Sequence, residues 1–467
     1  MDDFKSFVNK LDKALQPDKS FDLIKRELVI AERRSYLYFI DGFIKDEVFE
    51  KMLEFLFKQK PEDIAPITDM RQFSWVKMPY VEVDYTYEAE NAATQVLSGP
   101  AVLVVDGVAG ALIIDTRTYP TRSIEEPQKD KSLRGSRDGF VETLIFNTAM
   151  VRRRIRTGAL RMEYLQIGTR SKVDIAISYI DGLADEKTLK ILKKRLSQIK
   201  INGISMTQQA FIEALIPTNF FNPYPRFKFT ERPDYASACI LDGKIVVIMD
   251  NCPAVMIIPT SFADFFRDVD DYYFMPVVGS YTRIIRTVVT LLTVFIVPLY
   301  LIAAKQPGLM PDCLNFMMPG ESAALSLFWQ FLILEFVVDG LQLASLNTPD
   351  TLSNSLGIIG GLLLSEFAVN AGWFIAEAIL FMAFVTIASF SQPSIEMSYA
   401  MKFQRVFLLV LSELFGIWGF FAGTAIIIIT LGFSKTLSGR GYLFPLIPFN
   451  WKAFKKLFVR PGIDNTH

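Results

Sequence analysis

The sequence predicts an α/β soluble N-terminal half of two similar subdomains, followed by an all-α helical transmembrane domain. Three observations carry this. Charges are dense and evenly spread up to about Asp271. From Ile284 onward, apolar stretches of about 18 to 25 residues dominate and charges become sparse. Within the first half, one segment returns ungapped later on. A chain of 467 residues also exceeds what a single core usually serves.

Composition narrows the function classes. Apolar residues make up 51% and charged residues 21% of the chain, with a net charge of -1. No global field points to nucleic acid or acidic ligands, and no nucleic-acid partner is expected. The three cysteines, Cys239, Cys252 and Cys313, lie far apart without metal spacing. The single histidine is His467, which removes most His-based acid–base and metal chemistry. No nucleophile–base pair or Gly-rich phosphate loop is recognisable, so no catalytic residue, cofactor or metal site is predicted and an enzyme is the least favoured class. Met1-Asp2-Asp3-Phe4 lacks a basic region leading into an apolar core, so no cleavable signal peptide is predicted and the first half is expected in the cytoplasm.

The first half is read as subdomains at 1–125 and 160–280, joined by a linker and helix at 126–159. The internal match lays Leu97 to Thr116 over Leu241 to Thr260. Each copy has an apolar run, a turn at Asp106-Gly107 or Asp250-Asn251, and a second apolar run ending in Ile-Ile: a β-hairpin pattern twice over. Upstream of each, a strand ends in Ile-Asp-Gly (Ile40-Asp41-Gly42 and Ile180-Asp181-Gly182) and a helix follows, at 45–57 and 186–199. Two matched elements in the same order, about 140 residues apart, point to a duplication. The connection begins as a charged stretch at 121–139 and continues as a helical pattern at 140–156 ending in Arg152-Arg153-Arg154-Ile155-Arg156. That cluster fits a solvated helix end complementing the helix dipole, or a contact with anionic lipid or a partner.

The second half is read as a helical membrane domain at 281–433 with a basic tail at 434–467. Spans are predicted at 284–303, at 323–346, within 356–390 as a short and a full-length segment divided by Asn370-Ala371-Gly372, and at 407–431. Gly419-Phe420-Phe421-Ala422-Gly423 suits close helix contact. The basic tail faces the cytoplasm by the positive-inside rule, so four crossings are expected, although Lys402 and Arg405 fit that topology poorly. Glu335, Asp339, Glu366 and Glu377 lie where an ionised carboxylate costs roughly 2.5–3.5 kcal/mol, which makes them the candidate ion pathway; the alternative is an interfacial or helix-capping place.

Certain motifs carry a family resemblance over nearly the whole chain. They are Arg137-Asp138-Gly139-Phe140, Asn147, Arg152-Arg153-Arg154-Ile155, Tyr179-Ile180-Asp181-Gly182-Leu183-Ala184, Thr230-Glu231-Arg232-Pro233-Asp234 and Asp271-Tyr272-Tyr273. In this order they resemble the A subunits of GerA-type spore germinant receptors. Ser136 and Pro223-Tyr224-Pro225-Arg226 depart from the family pattern. The segment 338–349 and the ending at 445–452 look like the paralogous branch called stage V sporulation protein AF. The resemblance implies a multi-pass protein of the spore inner membrane acting in germination. It further implies an oligomeric ion-conducting subunit with a second membrane protein encoded nearby as partner. A nutrient-receptor A subunit and a non-conducting scaffold remain alternatives, and Thr230 to Asp234 is taken as a structural motif.

Overall fold

The computed structural model describes residues 2–116, 135–168, 172–199, 207–216, 222–309, 311–320, 323–347, 368–434, 436–439 and 441–458. Most of the charged stretch 121–139, and Glu366 with the segment around it, lie outside them. The chain falls into two compact units. One comprises Met1–Thr218 with Phe227–Thr260, the other Asn219–Arg226 with Ser261–His467.

The first unit holds two antiparallel five-stranded sheets. In one, β1 (Leu23–Ile30), β2 (Arg33–Ile40), β3 (Val83–Thr86), β4 (Ala101–Val105) and β5 (Ala111–Ile114) are ordered β1-β2-β4-β5-β3. In the other, β6 (Leu160–Ile167), β7 (Val173–Ile180), β8 (Lys228–Thr230), β9 (Ile245–Met249) and β10 (Val255–Ile258) are ordered β6-β7-β9-β10-β8. The order is the same, and so is the register. Leu37 faces Leu103 where Ile177 faces Val247, and Ala101 faces Ile114 where Ile245 faces Ile258. Thr86 faces Ala111 where Thr230 faces Val255. The turns repeat as well: Gly107 and Asn251 occupy matched positions in the left-handed region, at φ 77° and 59°, which only Gly and Asn-like residues adopt readily.

The central strands read as continuous apolar runs because both faces of the sheet are covered. Along β4, Ala101, Leu103 and Val105 enter one core with Phe49, Met52 and Phe73. The alternate residues Val102 and Val104 enter the other with Leu11, Ala92 and Val96. The covering helices include α1 (Asp2–Leu15), α2 (Asp46–Phe57) and α3 (Ala89–Ser98). Between the sheets runs α4 (Leu144–Arg154); α5 (Glu186–Gln198) and α6 (Pro233–Leu241) take in the second repeat the places of α2 and α3.

The second unit is helical: α7 (Pro276–Lys305), α8 (Leu327–Asn347), α9 (Ala376–Phe390), α10 (Ile395–Phe433) and α11 (Trp451–Phe458). Among the described residues three helices are long and apolar enough to cross a membrane: Pro276–Lys305, Leu327–Ala344 and Ile395–Phe433. At 15 residues α9 falls short of the roughly 20 a perpendicular crossing needs.

The last of these corrects a sequence expectation. The sequence predicts one crossing over 407–431, but Gly416, at φ 59° and ψ -140°, breaks the helix there. Gly419 comes so close to the Leu411 backbone that a Cβ would overlap its carbonyl, and Gly423 lies against the Leu408 and Leu411 side chains. In a straight helix residues 408 and 423 would stand about 22 Å apart. The chain therefore doubles back at Gly416 as two antiparallel arms, 395–415 and 417–433. The small residues at 419 and 423 make the close helix contact expected of them.

Candidate functional site

The helical unit gathers its membrane charges in one place. On α8, Glu335, Val338, Asp339 and Gln342 share one face by helical spacing, and they line a polar cavity of about 120 Å³. The opposite wall is the first arm of α10, which presents Ser398, Lys402 and Arg405 at the same kind of spacing. Thr386 and Ser389 of α9, with Gln392 after it, close the side.

Sequence neighbours supply Glu335 and Asp339 with no cation; the fold does. Both Glu335 and Arg405 are buried. Arg405 donates through Nε to one carboxylate oxygen of Glu335 and through Nη2 to the other at 2.9 Å. Its Nη1 donates to the Thr293 carbonyl of α7 at 3.1 Å. Lys402 pairs with Asp339, stands 3.4 Å from a Glu335 oxygen, and donates to the Glu335 carbonyl at 3.2 Å. Two carboxylates and two cations thus neutralise one another inside the bundle. Lys402 and Arg405, which fit the topology poorly as loop residues, are helix residues serving as counter-ions. The Gln392 amide is different: its nitrogen and oxygen are shielded from solvent and make no hydrogen bond among the described residues. A polar pair left in this way is costly unless something polar enters the cavity.

The remaining candidates lie elsewhere. Glu377 sits in the first turn of α9, half-buried, where the helix N-terminus favours a carboxylate, and the Gly320 N–H points at it from 3.5 Å. Glu366 is outside the described residues. The helical unit has a second charged cluster at the start of α7. The buried carboxylate of Asp271 accepts from Arg283 Nε at 3.1 Å, Arg286 Nη1 at 3.1 Å and Thr282 Oγ1 at 3.0 Å.

In the first unit the motif residues build hydrogen-bond hubs. Arg232 is fully buried and forks onto Asp234 at 3.0 and 2.7 Å, while its Nη2 also reaches the Ser136 carbonyl at 2.8 Å. Pro233 occupies the first turn of α6, where its missing N–H costs nothing, and the Glu231 carbonyl accepts from Phe140 N. Thr230 Oγ1 accepts from Arg232 N. Asn147 clasps the Val141 backbone through both amide atoms.

Arg152 departs from both readings of the basic cluster. It is wholly buried, gripping Asp22 at 2.8 and 3.0 Å and donating to the Ser20 hydroxyl and the Thr157 and Leu160 carbonyls. It ties α4 to the residues just ahead of β1 and to the start of β6. Arg154 holds Asp138 at 2.6 and 2.7 Å. Burial pushes the Asp138 pKa up, but hydrogen bonds from Arg154 and Ser136 outweigh it and leave the carboxyl below its usual range.

Among the described residues no cluster of His, Cys, Asp and Glu could hold a metal ion. A duplicated α/β unit, followed by a helical unit with membrane-length helices and a buried, internally neutralised charge cluster, defines a membrane protein. The chain belongs to the family of Bacillus/Clostridium GerA spore germination proteins, which matches residues 9–467. It is 33% identical to Stage V sporulation protein AF of Bacillus subtilis, over 94% of this chain and 89% of that one. It is 29% identical to Spore germination protein KA of the same organism, over 94% of this chain and 81% of that one. A crystal structure of the N-terminal domain of the A subunit of the Bacillus megaterium spore germinant receptor GerK3 matches 55% of this chain and 94% of its own length, at 24% identity and a TM-score of 0.39. The protein is thus a membrane protein of spore germination.

Proposed function

We propose that this chain is an ion-conducting subunit that promotes ion release across the spore inner membrane during germination. Its N-terminal unit lies in the cytoplasm, and copies of the chain assemble with one another and with a second membrane protein encoded nearby. The carrying observation is the polar cavity between α8, α9 and the first arm of α10, where the Gln392 amide has no hydrogen-bond partner among the described residues. An apolar bundle has no use for such a space. A hydrated path does, since water or a passing ion satisfies the amide.

Charge pairing sets the test. Asp339→Asn leaves Lys402 in excess and opposes cations, whereas Lys402→Gln leaves Asp339 in excess and attracts them. Cation release from purified spores is expected to slow in the first variant and to quicken in the second, with both proteins at normal abundance on an immunoblot. Glu366→Gln and Glu377→Gln are expected to slow release if the path extends past the first turn of α9. Unchanged release at normal abundance in all four variants overturns conduction and favours a non-conducting scaffold. The similarity to Spore germination protein KA supports a second reading, an A subunit of a nutrient receptor. A three-gene operon around this gene would favour it over the first.

A further inference from the structure

The C-terminal helix has no role in the cavity, and its make-up points to a ligand of its own. In α11, Trp451, Phe454 and Phe458 recur at i, i+3 and i+7, so they share one side of the helix. By the same register Lys452 and Lys456 fall on the far arc, and Lys455, four residues after Trp451, falls at the edge of the ring side. The rings form a continuous cluster with Phe449: Phe449 to Phe454 at 5.6 Å, Trp451 to Phe454 at 5.9 Å and Phe454 to Phe458 at 5.2 Å. Yet Phe449 is 62% and Trp451 66% exposed, and Leu446 and Ile447 before them are exposed too.

The segment is tied to the residues that lead into α7. It follows Tyr442, whose carbonyl accepts from Phe262 N and whose ring packs on Phe262 and Phe265, just ahead of α7. The helix packs against α7, whose first turns expose Val277 and Tyr281. Val277, Tyr281, Phe449 and Trp451 are thus all exposed, and Trp and Tyr are the residues that favour the headgroup region.

We propose that α11 is an interfacial foot that lies in the leaflet at the Pro276 end of α7, its rings among the upper acyl chains and its three lysines on anionic lipid headgroups. Charge complementarity selects this occupant. A ring face alone would suit any apolar partner, but three lysines without an acid anywhere in 451–458 suit a surface of phosphate groups.

The test uses the full chain in nanodiscs of phosphatidylcholine with and without phosphatidylglycerol, read by amide hydrogen exchange over 451–458. Each lysine contributes roughly fivefold at an anionic surface. Protection is therefore expected to rise about tenfold or more with phosphatidylglycerol and to fall back at high salt. A Lys452→Gln, Lys455→Gln, Lys456→Gln variant is expected to lose the increase, while peptides from α7 and the β-sheets exchange as before. Glutamine is as good a helix former as lysine, so the helix itself is retained. Equal protection in both nanodiscs, or an increase that survives the triple change, overturns the proposal; the first result would mean that protein, a second copy included, covers the face.

Discussion

The Glu335–Arg405 pair offers a quantitative test of what holds the helical unit together. Glu335→Leu removes both carboxylate acceptors of Arg405 and leaves that buried guanidinium with only the Thr293 carbonyl and a neighbouring Lys402 of the same sign. Breaking one side of a buried pair costs about 3–5 kcal/mol, because an uncompensated charge stays behind. Arg405→Leu is expected to cost about as much, since Glu335 would keep only Lys402 at 3.4 Å. The double variant leaves no unpaired charge, since Lys402 keeps Asp339, and is expected to lose no more than about 1–2 kcal/mol, which gives a coupling of at least about 4 kcal/mol. Four of the five tryptophans, Trp329, Trp373, Trp418 and Trp451, belong to this unit. In a Trp75→Phe background, fluorescence-detected unfolding in mixed micelles therefore reports on it alone. If either single variant unfolds within about 0.5 kcal/mol of the parent, or the two single costs add in the double, the pair is not the lock described here.

Two further outcomes follow from particular backbone and side-chain geometry. Gly416→Ala is expected to destabilise the helical unit by about 1–3 kcal/mol in the same assay, because φ 59° with ψ -140° is a glycine conformation, whereas Gly432→Ala, with open space around it, is expected to stay within about 0.5 kcal/mol. In the first unit Asp138 has a lowered pKa, so its contribution to stability is complete above the ordinary Asp value of about 3.9 and drains away as pH falls through the lower folded value. With Trp75 as the sole tryptophan, the denaturation midpoint of the parent is expected to drop below about pH 4 more steeply than that of Asp138→Asn; identical acid profiles would remove Asp138 from the account.

Much of the first unit is legible in the sequence because its signals are local. The hairpins at 101–114 and 245–258 announce themselves by apolar runs around Asp106-Gly107 and Asp250-Asn251, and the fold uses both turns in the left-handed conformation. The matching Ile40 and Ile180 do end equivalent strands. What local reasoning misreads is Arg152. A run of arginines at a helix end has the look of a solvated terminus, and nothing nearby reveals that Asp22, about 130 residues earlier, is its partner. A buried ion pair between distant segments leaves no periodicity to read.

The helical unit shows the same limit in sharper form. Apolar composition marks where helices of membrane length lie, but it cannot show that Gly416 turns the chain around, since both arms of α10 are apolar and only the left-handed glycine and the contacts at Gly419 and Gly423 distinguish a hairpin from a rod. Nor can it pair the charges. Even so, one signal was present: Glu335, Asp339 and Gln342 on α8, and Ser398, Lys402 and Arg405 on α10, are polar stripes of matching helical pitch, one acidic and one basic. In an apolar solvent two such stripes have little choice but to meet, because each alone leaves charges without a partner. Glu377, with no basic stripe to match it, takes the other solution and sits at a helix N-terminus. Gln392 obeys neither rule. Among the described residues both of its amide atoms are buried without a hydrogen-bond partner, beside four mutually neutralised charges, and water or an ion entering the cavity would satisfy them.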